Sequence, residues 1–213
     1  MFRIIPSLTS GSYATLGENA RRLQDIGHLH LDVEDGHFSP GISFGVDAIR
    51  DVAPCTTAEL DAHLMVTQPD DYIQGLAACG VKRIAVQIEA CPYPSRQLNT
   101  LRELGVKAGL AFNYKTDVRV LENYADLVDY VLLWTNESDC STLAFKPHSL
   151  ERIRRARDIV GGAAEVWADG GVKKELLKAV RAAGADVVVM GRAFFEAADP
   201  LEWHRELMRE AGE

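Results

Sequence analysis

Eight short runs of apolar, largely β-branched residues recur along the chain, and stretches with helical periodicity fill most of the intervals. The runs are Arg3–Leu8, His28–Val33, Glu59–Val66, Arg83–Glu89, Lys107–Asn113, Tyr130–Thr135, Glu165–Asp169 and Asp186–Met190. The helical patterns are Tyr13–Ile26, Asp70–Cys79, Arg96–Leu104, Val118–Leu127, Leu150–Val160, Lys173–Ala183 and, last, Pro200–Ala211. Such alternation predicts parallel strands joined by right-handed helical crossovers. Gly27, Gly80, Gly105 and Gly184 stand where helices hand over to strands, as C-capping glycines do. With 213 residues, or about 27 per unit, eight units close most simply into a single (β/α)8 (TIM) barrel domain over residues 1–213. An open doubly wound sheet would want a glycine-rich turn after the first strand. Ser7-Leu8-Thr9-Ser10-Gly11 does not provide G-x-G-x-x-G.

Composition narrows the function. At 47% hydrophobic residues the chain can bury a sizeable core. A net charge of −8 argues against non-specific nucleic-acid binding, and an anion would need a local positive feature. No apolar run reaches the roughly 18–20 residues of a membrane span, and the first residues do not read as a signal peptide. Cys55, Cys79, Cys91 and Cys140 are scattered without a C-x-x-C pair, as reduced thiols of a cytoplasmic protein would be. The arginines 152, 154, 155 and 157 read as a solvated helix face.

Side chains alternate faces along a strand. In the second run Leu29, Leu31 and Val33 form an outward apolar row, so His28, His30 and Asp32 point into the barrel. The same parity turns Asp61, His63 and Met65 inward from the third run, and Glu165, Trp167 and Asp169 from the seventh. It also turns Ser7, Gln87, Glu89, Asn113 and Trp134 inward. His30, Asp32, His63 and Asp169 fall near the C-terminal ends of their strands, the rim that carries active sites in this fold. Two imidazoles and two carboxylates suit Zn²⁺, Fe²⁺, Co²⁺ or Mn²⁺ better than Ca²⁺. A hydrogen-bonded network of His28, His30 and His63 around Asp61 is the competing reading, with His28 lower in the barrel and structural.

Seven segments carry a resemblance. They are Pro6-Ser7-Leu8, His30-Leu31-Asp32-Val33-Glu34-Asp35-Gly36-His37-Phe38, Ser43-Phe44-Gly45, His63-Leu64-Met65-Val66, Gly105-Val106-Lys107-Ala108-Gly109, Asp169-Gly170-Gly171 and Gly191-Arg192-Ala193-Phe194-Phe195. In this order the chain resembles the ribulose-phosphate 3-epimerases, which are ribulose-phosphate-binding barrels. The resemblance implies one divalent metal held by His30, Asp32, His63 and Asp169, and no organic cofactor. It implies Asp32 and Asp169 as the acid and base that invert C3 of a ketose phosphate, such as ribulose 5-phosphate, through an enediolate. It places Ser7, His63, Met65, Gly170, Gly171, Gly191 and Arg192 on the substrate, and implies a homo-oligomer, dimer or hexamer.

The sequence departs from the family at the substrate end. The loop that usually supplies glycines to a phosphate reads Glu137-Ser138-Asp139-Cys140-Ser141-Thr142-Leu143, with no glycine. Gln87 replaces a usual His, and Glu34 and Trp134 replace usual Met residues. These changes keep open a second reading, a sugar-phosphate-binding or regulatory barrel with altered catalysis.

Overall fold

The computed structural model of the chain describes residues 2–137 and 144–213. Its eight strands are β1 (Arg3–Pro6), β2 (His28–Glu34), β3 (Glu59–Met65), β4 (Arg83–Gln87), β5 (Lys107–Phe112), β6 (Tyr130–Trp134), β7 (Glu165–Asp169) and β8 (Val187–Met190). From β2 to β8 each strand pairs in parallel with its sequence neighbours, and β1 pairs with β8. The ring is completed between β1 and β2 by one isolated bridge, Ser7 to His30. The (β/α)8 barrel expected from the alternation is the fold observed.

The helices around it are α1 (Leu16–Leu23), α2 (Val46–Val52), α3 (Asp70–Ala78), α4 (Pro94–Glu103), α5 (Ser149–Val160), α6 (Leu177–Ala182), α7 (Arg192–Glu196) and α8 (Pro200–Ala211). In α8 the Asp199 side chain accepts from the amides of Leu201 and Glu202, both at 3.0 Å, and Pro200 occupies the first turn. Gly27, Gly80, Gly105 and Gly184 all have positive φ, as expected of helix-ending residues.

Several segments differ from the sequence reading. Tyr13–Ile26 divides into 3-10 turns flanking α1, and Lys173–Ala183 contains a 3-10 turn before α6. Val118–Leu127 is no α-helix: a 3-10 segment, Val118–Asn123, buries Val118 and Leu121, whose spacing of three matches that helix's period. The first run leaves the sheet at Pro6, because Leu8–Ser10 turns into a 3-10 segment. The short helices α2 and α7 escaped the pattern. The arginine cluster is also corrected: Arg152 is buried, donating to the carbonyls of Trp134 (2.7 Å), Asn113 (2.8 Å) and Thr116 (3.2 Å). Arg157 pairs with Asp186.

Strand parity splits the apolar residues into two cores. Outward side chains such as Leu29, Leu31, Val33, Leu60, Leu64, Val131 and Val166 pack against the helices. Each such fully buried aliphatic side chain contributes about 1.5–3 kcal/mol of transfer free energy. Inside the ring lie Ile5, Met65, Ala85, Ala111, Tyr130, Leu132, Trp134, Trp167, Val187 and Val189. Tyr130 stacks on Trp167 with ring centroids 4.6 Å apart, and the small residues of β4 and β5 leave room for these rings. The N-terminal floor is closed by Glu165, which accepts from Arg3 (2.6 Å), Arg83 (3.5 Å) and Trp167 Nε1 (2.9 Å). The opposite end stays open above a polar ring. Among the described residues no helix is long and apolar enough to cross a membrane.

Candidate active site

β2 brings His30 and Asp32 to the rim, β3 brings His63 and β7 brings Asp169. One ligand atom from each can be chosen so that all four lie within 4.8 Å of one another. His30 Nε2 stands 3.1 Å from Asp32 Oδ1 and 3.9 Å from Asp169 Oδ2. His63 Nδ1 stands 3.5 Å from Asp169 Oδ2 and 3.8 Å from Asp32 Oδ1. Both imidazoles are fully buried, and both carboxylates keep a partly exposed edge toward the mouth.

The surroundings fix the imidazoles. His30 Nδ1 meets Asp61 Oδ1 at 2.5 Å, so this nitrogen carries a proton and Nε2 is the nitrogen turned toward the ring. His63 is set by Gln87. With that amide turned so that each atom finds a complementary partner, Oε1 accepts from His63 Nε2 (3.0 Å). Its nitrogen then donates to Ala111 O (3.1 Å) and Glu89 Oε2 (2.8 Å). His63 Nδ1 is then left buried without a hydrogen bond from any described residue, facing the two carboxylates. A buried, orphaned imidazole nitrogen is costly unless something occupies its lone pair. The donor set therefore fits a cation held by two nitrogens and two carboxylates, with Asp61 and Gln87 orienting the nitrogens from behind.

The charge balance points the same way. Among the described residues Asp32, Asp61 and Asp169 form ion pairs with histidines alone. Burial opposes protonation of His30, yet Asp61 and Asp32 outweigh it and hold its pKa well above the ordinary imidazole value. His63 is likewise raised against burial by Asp169 and Asp32. Asp61 is driven down to about 2: burial opposes the shift, but His30 and His28 prevail. Asp32 is held far below the usual carboxylate range, burial again being overcome by His30 and His63. The ring is a site for positive charge.

His28 takes the lower place expected from parity, with Nε2 2.9 Å from Asp61 Oδ2 and its ring edge-on to Trp167 at 5.6 Å. The competing network around Asp61 thus exists, beneath the ring rather than instead of it. Ser7 Oγ donates to Asp32 Oδ2 at 2.5 Å. Met65 and Trp134 form an apolar wall, with Trp134 edge-on to His63 at 5.7 Å. Glu89 and Asn113, expected inward, lie past the ends of β4 and β5, where Glu89 accepts from the Asn113 amide at 2.8 Å.

A cavity of about 330 Å³ extends from Ser7, Asp32 and Asp169 to Gly170, Gly171, Gly191 and Arg192. The glycines are demanded by close approach. A Cβ on Gly170, at φ 106°, would strike the Asn136 side chain, and one on Gly191 would strike Ser10. Asn136 and Lys173 line the same cavity and were missed in the sequence; Lys173 follows the Asp-Gly-Gly turn closely enough to have been found by extending that loop. Glu34 closes β2 above Asp32, its carboxyl pKa raised by burial and by the charges of Asp32 and Asp169, against a lowering hydrogen bond from Ser39 and the pull of His63. Of the glycine-free segment, residues 138–143 lie outside the described residues, as does Cys140.

Among solved structures, orotidine 5'-phosphate decarboxylase from Pyrococcus horikoshii OT3 superposes with a TM-score of 0.72 at 20% identity, covering 99% of both chains. KGPDC from Streptococcus mutans gives a TM-score of 0.74 at 11% identity, covering 100% of this chain and 98% of that one. At such identities the likeness concerns the fold. Sequence similarity is closer to proteins named ribulose-phosphate 3-epimerase, which are isomerases. That of Bacillus subtilis is 35% identical over 205 residues, 93% of this chain and 94% of that protein. That of Aquifex aeolicus is 36% identical over 203 residues, 92% and 90%. That of Escherichia coli is 33% identical over 204 residues, 93% and 91%. Residues 3–195 match the profile of the ribulose-phosphate 3 epimerase family, and the chain belongs to that family.

Proposed function

We propose that this barrel inverts C3 of a ketose phosphate, ribulose 5-phosphate or a close relative, with Asp32 and Asp169 as the two proton-transfer groups. The observation that carries the reading is the four-residue ring, drawn from three strands of the open rim. His30 Nε2, His63 Nδ1, Asp32 and Asp169 would hold one divalent ion, Zn²⁺, Fe²⁺, Co²⁺ or Mn²⁺. That ion supplies Lewis-acid stabilisation of the negative charge developing on the ketone oxygen.

The chain's own residues supply the rest. Epimerisation beside a ketone removes the C3 proton from one face and returns one to the other. A carboxyl group is needed on each side of the substrate plane. Asp32 on β2 and Asp169 on β7 come from strands set apart around the ring. Ser7 Oγ, bonded to Asp32 Oδ2, holds that carboxylate in a single orientation. Met65 and Trp134 keep water from the flat enediolate. Gly170, Gly171 and Gly191 let backbone approach a phosphate closely, and Arg192, exposed at the cavity edge, adds positive charge.

The test is incubation of metal-replete protein with pentulose, hexulose and tetrulose phosphates in heavy water. Deuterium should enter at C3, and Asp32→Asn and Asp169→Asn should each abolish this. Exchange that survives in both variants overturns the assignment of the two carboxylates. Thermal stabilisation by these sugars without exchange in the parent protein would instead establish the binding or regulatory reading.

A further inference from the structure

Glu34 is a carboxylate that the chemistry above does not use. Alternation along β2 places it on the inward face with His30 and Asp32, one layer nearer the mouth. Its register partner on β3 is Met65, itself inside the barrel. Among the described residues it has no lysine or arginine partner, and its Oε1 accepts from the buried hydroxyl of Ser39 at 2.9 Å. The loop that follows is built around this carboxyl group. Gly41 leaves the space it fills, since a Cβ there would stand 2.6 Å from Oε2 and 2.7 Å from Oε1. Ser43 Oγ accepts from the Glu34 amide at 2.9 Å and donates to the Asp32 carbonyl at 2.6 Å. Asp35 ties the loop to β3 through the Thr67 amide at 2.7 Å. The half-buried carboxyl group is held on one oxygen by Ser39 and stands against Gly41, an oriented acceptor with Oε2 free of any hydrogen bond from a described residue.

Its place on the ring decides what it can accept from. The glycine end of the cavity belongs to the loops after β7 and β8; in the strand order β3 stands opposite β7, with β2 beside it. A ketose phosphate with its phosphate on those glycines and its ketone over the four-residue ring presents C1 toward β2 and β3. We propose that Glu34 is a specificity-determining residue that accepts a hydrogen bond from the terminal C1 hydroxyl of the sugar. It therefore selects ketose monophosphates with that hydroxyl free, and repels substrates anionic at C1. The inference rests on the proposed function for the direction in which the sugar lies.

The test compares binding of xylulose 5-phosphate and its 1-deoxy analogue to the metal-replete protein by calorimetry, with C3 deuterium exchange followed in the same samples. The parent protein should bind the hydroxylated sugar about 10- to 100-fold more tightly, as loss of a hydrogen bond to a charged acceptor implies. In Glu34→Met that ratio should fall to within about threefold, and in Glu34→Gln, which keeps the shape, to an intermediate value. A purely structural role for Glu34 weakens both sugars equally and leaves the ratio unchanged, which overturns the proposal. So does a parent protein that does not discriminate. A ratio that collapses in Glu34→Met without any exchange in the parent upholds Glu34 and removes the epimerase reading. Exchange with an unchanged ratio does the reverse, and binding of neither sugar overturns both.

Discussion

Gly109 gives the sharpest test of how the barrel interior is packed. It sits in β5 in register with Tyr130 of β6, facing inward. A methyl group placed there would stand 2.6 and 2.8 Å from Cε1 and Cε2 of Tyr130, and nearer still to Cζ. Carbon atoms prefer about 3.5–4.0 Å, so the ring must retreat by about 1 Å. Behind it, 4.6 Å away, is Trp167, fully buried and itself in edge-on contact with His28. Tyr130 is itself fully buried, so the ring can yield only against packed neighbours. Overpacking of this kind costs about 1–3 kcal/mol. Replacing glycine by alanine within a strand returns about 0.5–1 kcal/mol of chain entropy. Gly109→Ala should therefore lose about 1–2 kcal/mol, read as a lower urea midpoint and a melting temperature lower by about 2–8 °C. The mechanism is checked by a double-mutant cycle. Tyr130→Leu alone destabilises by opening a cavity, but in that background alanine at 109 should be neutral or stabilising, with a coupling energy of about 1–3 kcal/mol. An undiminished Gly109→Ala penalty when Tyr130 is already leucine would refute the steric argument.

Three further outcomes follow from the same geometry. The Tyr130 hydroxyl is buried without a hydrogen-bond partner among the described residues, so Tyr130→Phe should raise stability by about 1–3 kcal/mol; a loss on denaturant unfolding would mean that the hydroxyl is satisfied. Asp61→Asn should weaken divalent-metal binding about 10- to 100-fold in a chelator-competition titration, because a neutral amide replaces the charged acceptor that orients His30 and raises its basicity; unchanged affinity would remove Asp61 from that role. Burial, with Asp70 and Glu89 nearby, pushes the Cys91 thiol up to about 12, so at pH 8 it is almost wholly protonated and unreactive, its thiolate appearing only as the pH rises toward that value. Iodoacetamide at pH 8 should therefore modify the half-buried Cys55 and Cys79 well before Cys91 in the native protein, by peptide mass mapping.

Most of the barrel could be read from period-two alternation because its strands are buried on both faces by different partners. The outward row meets helices and the inward row meets itself, so His30, Asp32, His63, Met65 and Asp169 were placed by counting alone. Counting failed where a strand stops. Glu89 and Asn113 lie past the last ladder residue, where parity no longer fixes a side chain, and Glu89 accepts from the Asn113 amide and from the Gln87 side chain at the rim. It failed again at residues 118–127, where an apolar spacing of three serves a 3-10 segment as well as an α-helix. Arg152 looked like one of four solvated arginines, because nothing in a helix sequence says which carbonyls its neighbours leave unpaired. The support behind the imidazoles was harder still. Asp61 was visible as an inward acid, but that it grips His30, while Gln87 grips His63, depends on distances across two strand pairs.

The closure of the ring between β1 and β2 has a mechanical consequence. Every other pair of adjacent strands is laced by a ladder, whereas this joint is a single clasp, Ser7 to His30, assisted by the Thr9 hydroxyl, which meets the amide of Asp32 at 3.0 Å and its carbonyl at 3.3 Å. Local opening follows the path of fewest broken backbone bonds. The slit through which this cylinder can most readily flex therefore runs beside His30 and Asp32. The strands bearing His63 and Asp169 stay laced on both sides, so half of the polar ring is anchored in rigid wall and half is mounted on the clasp.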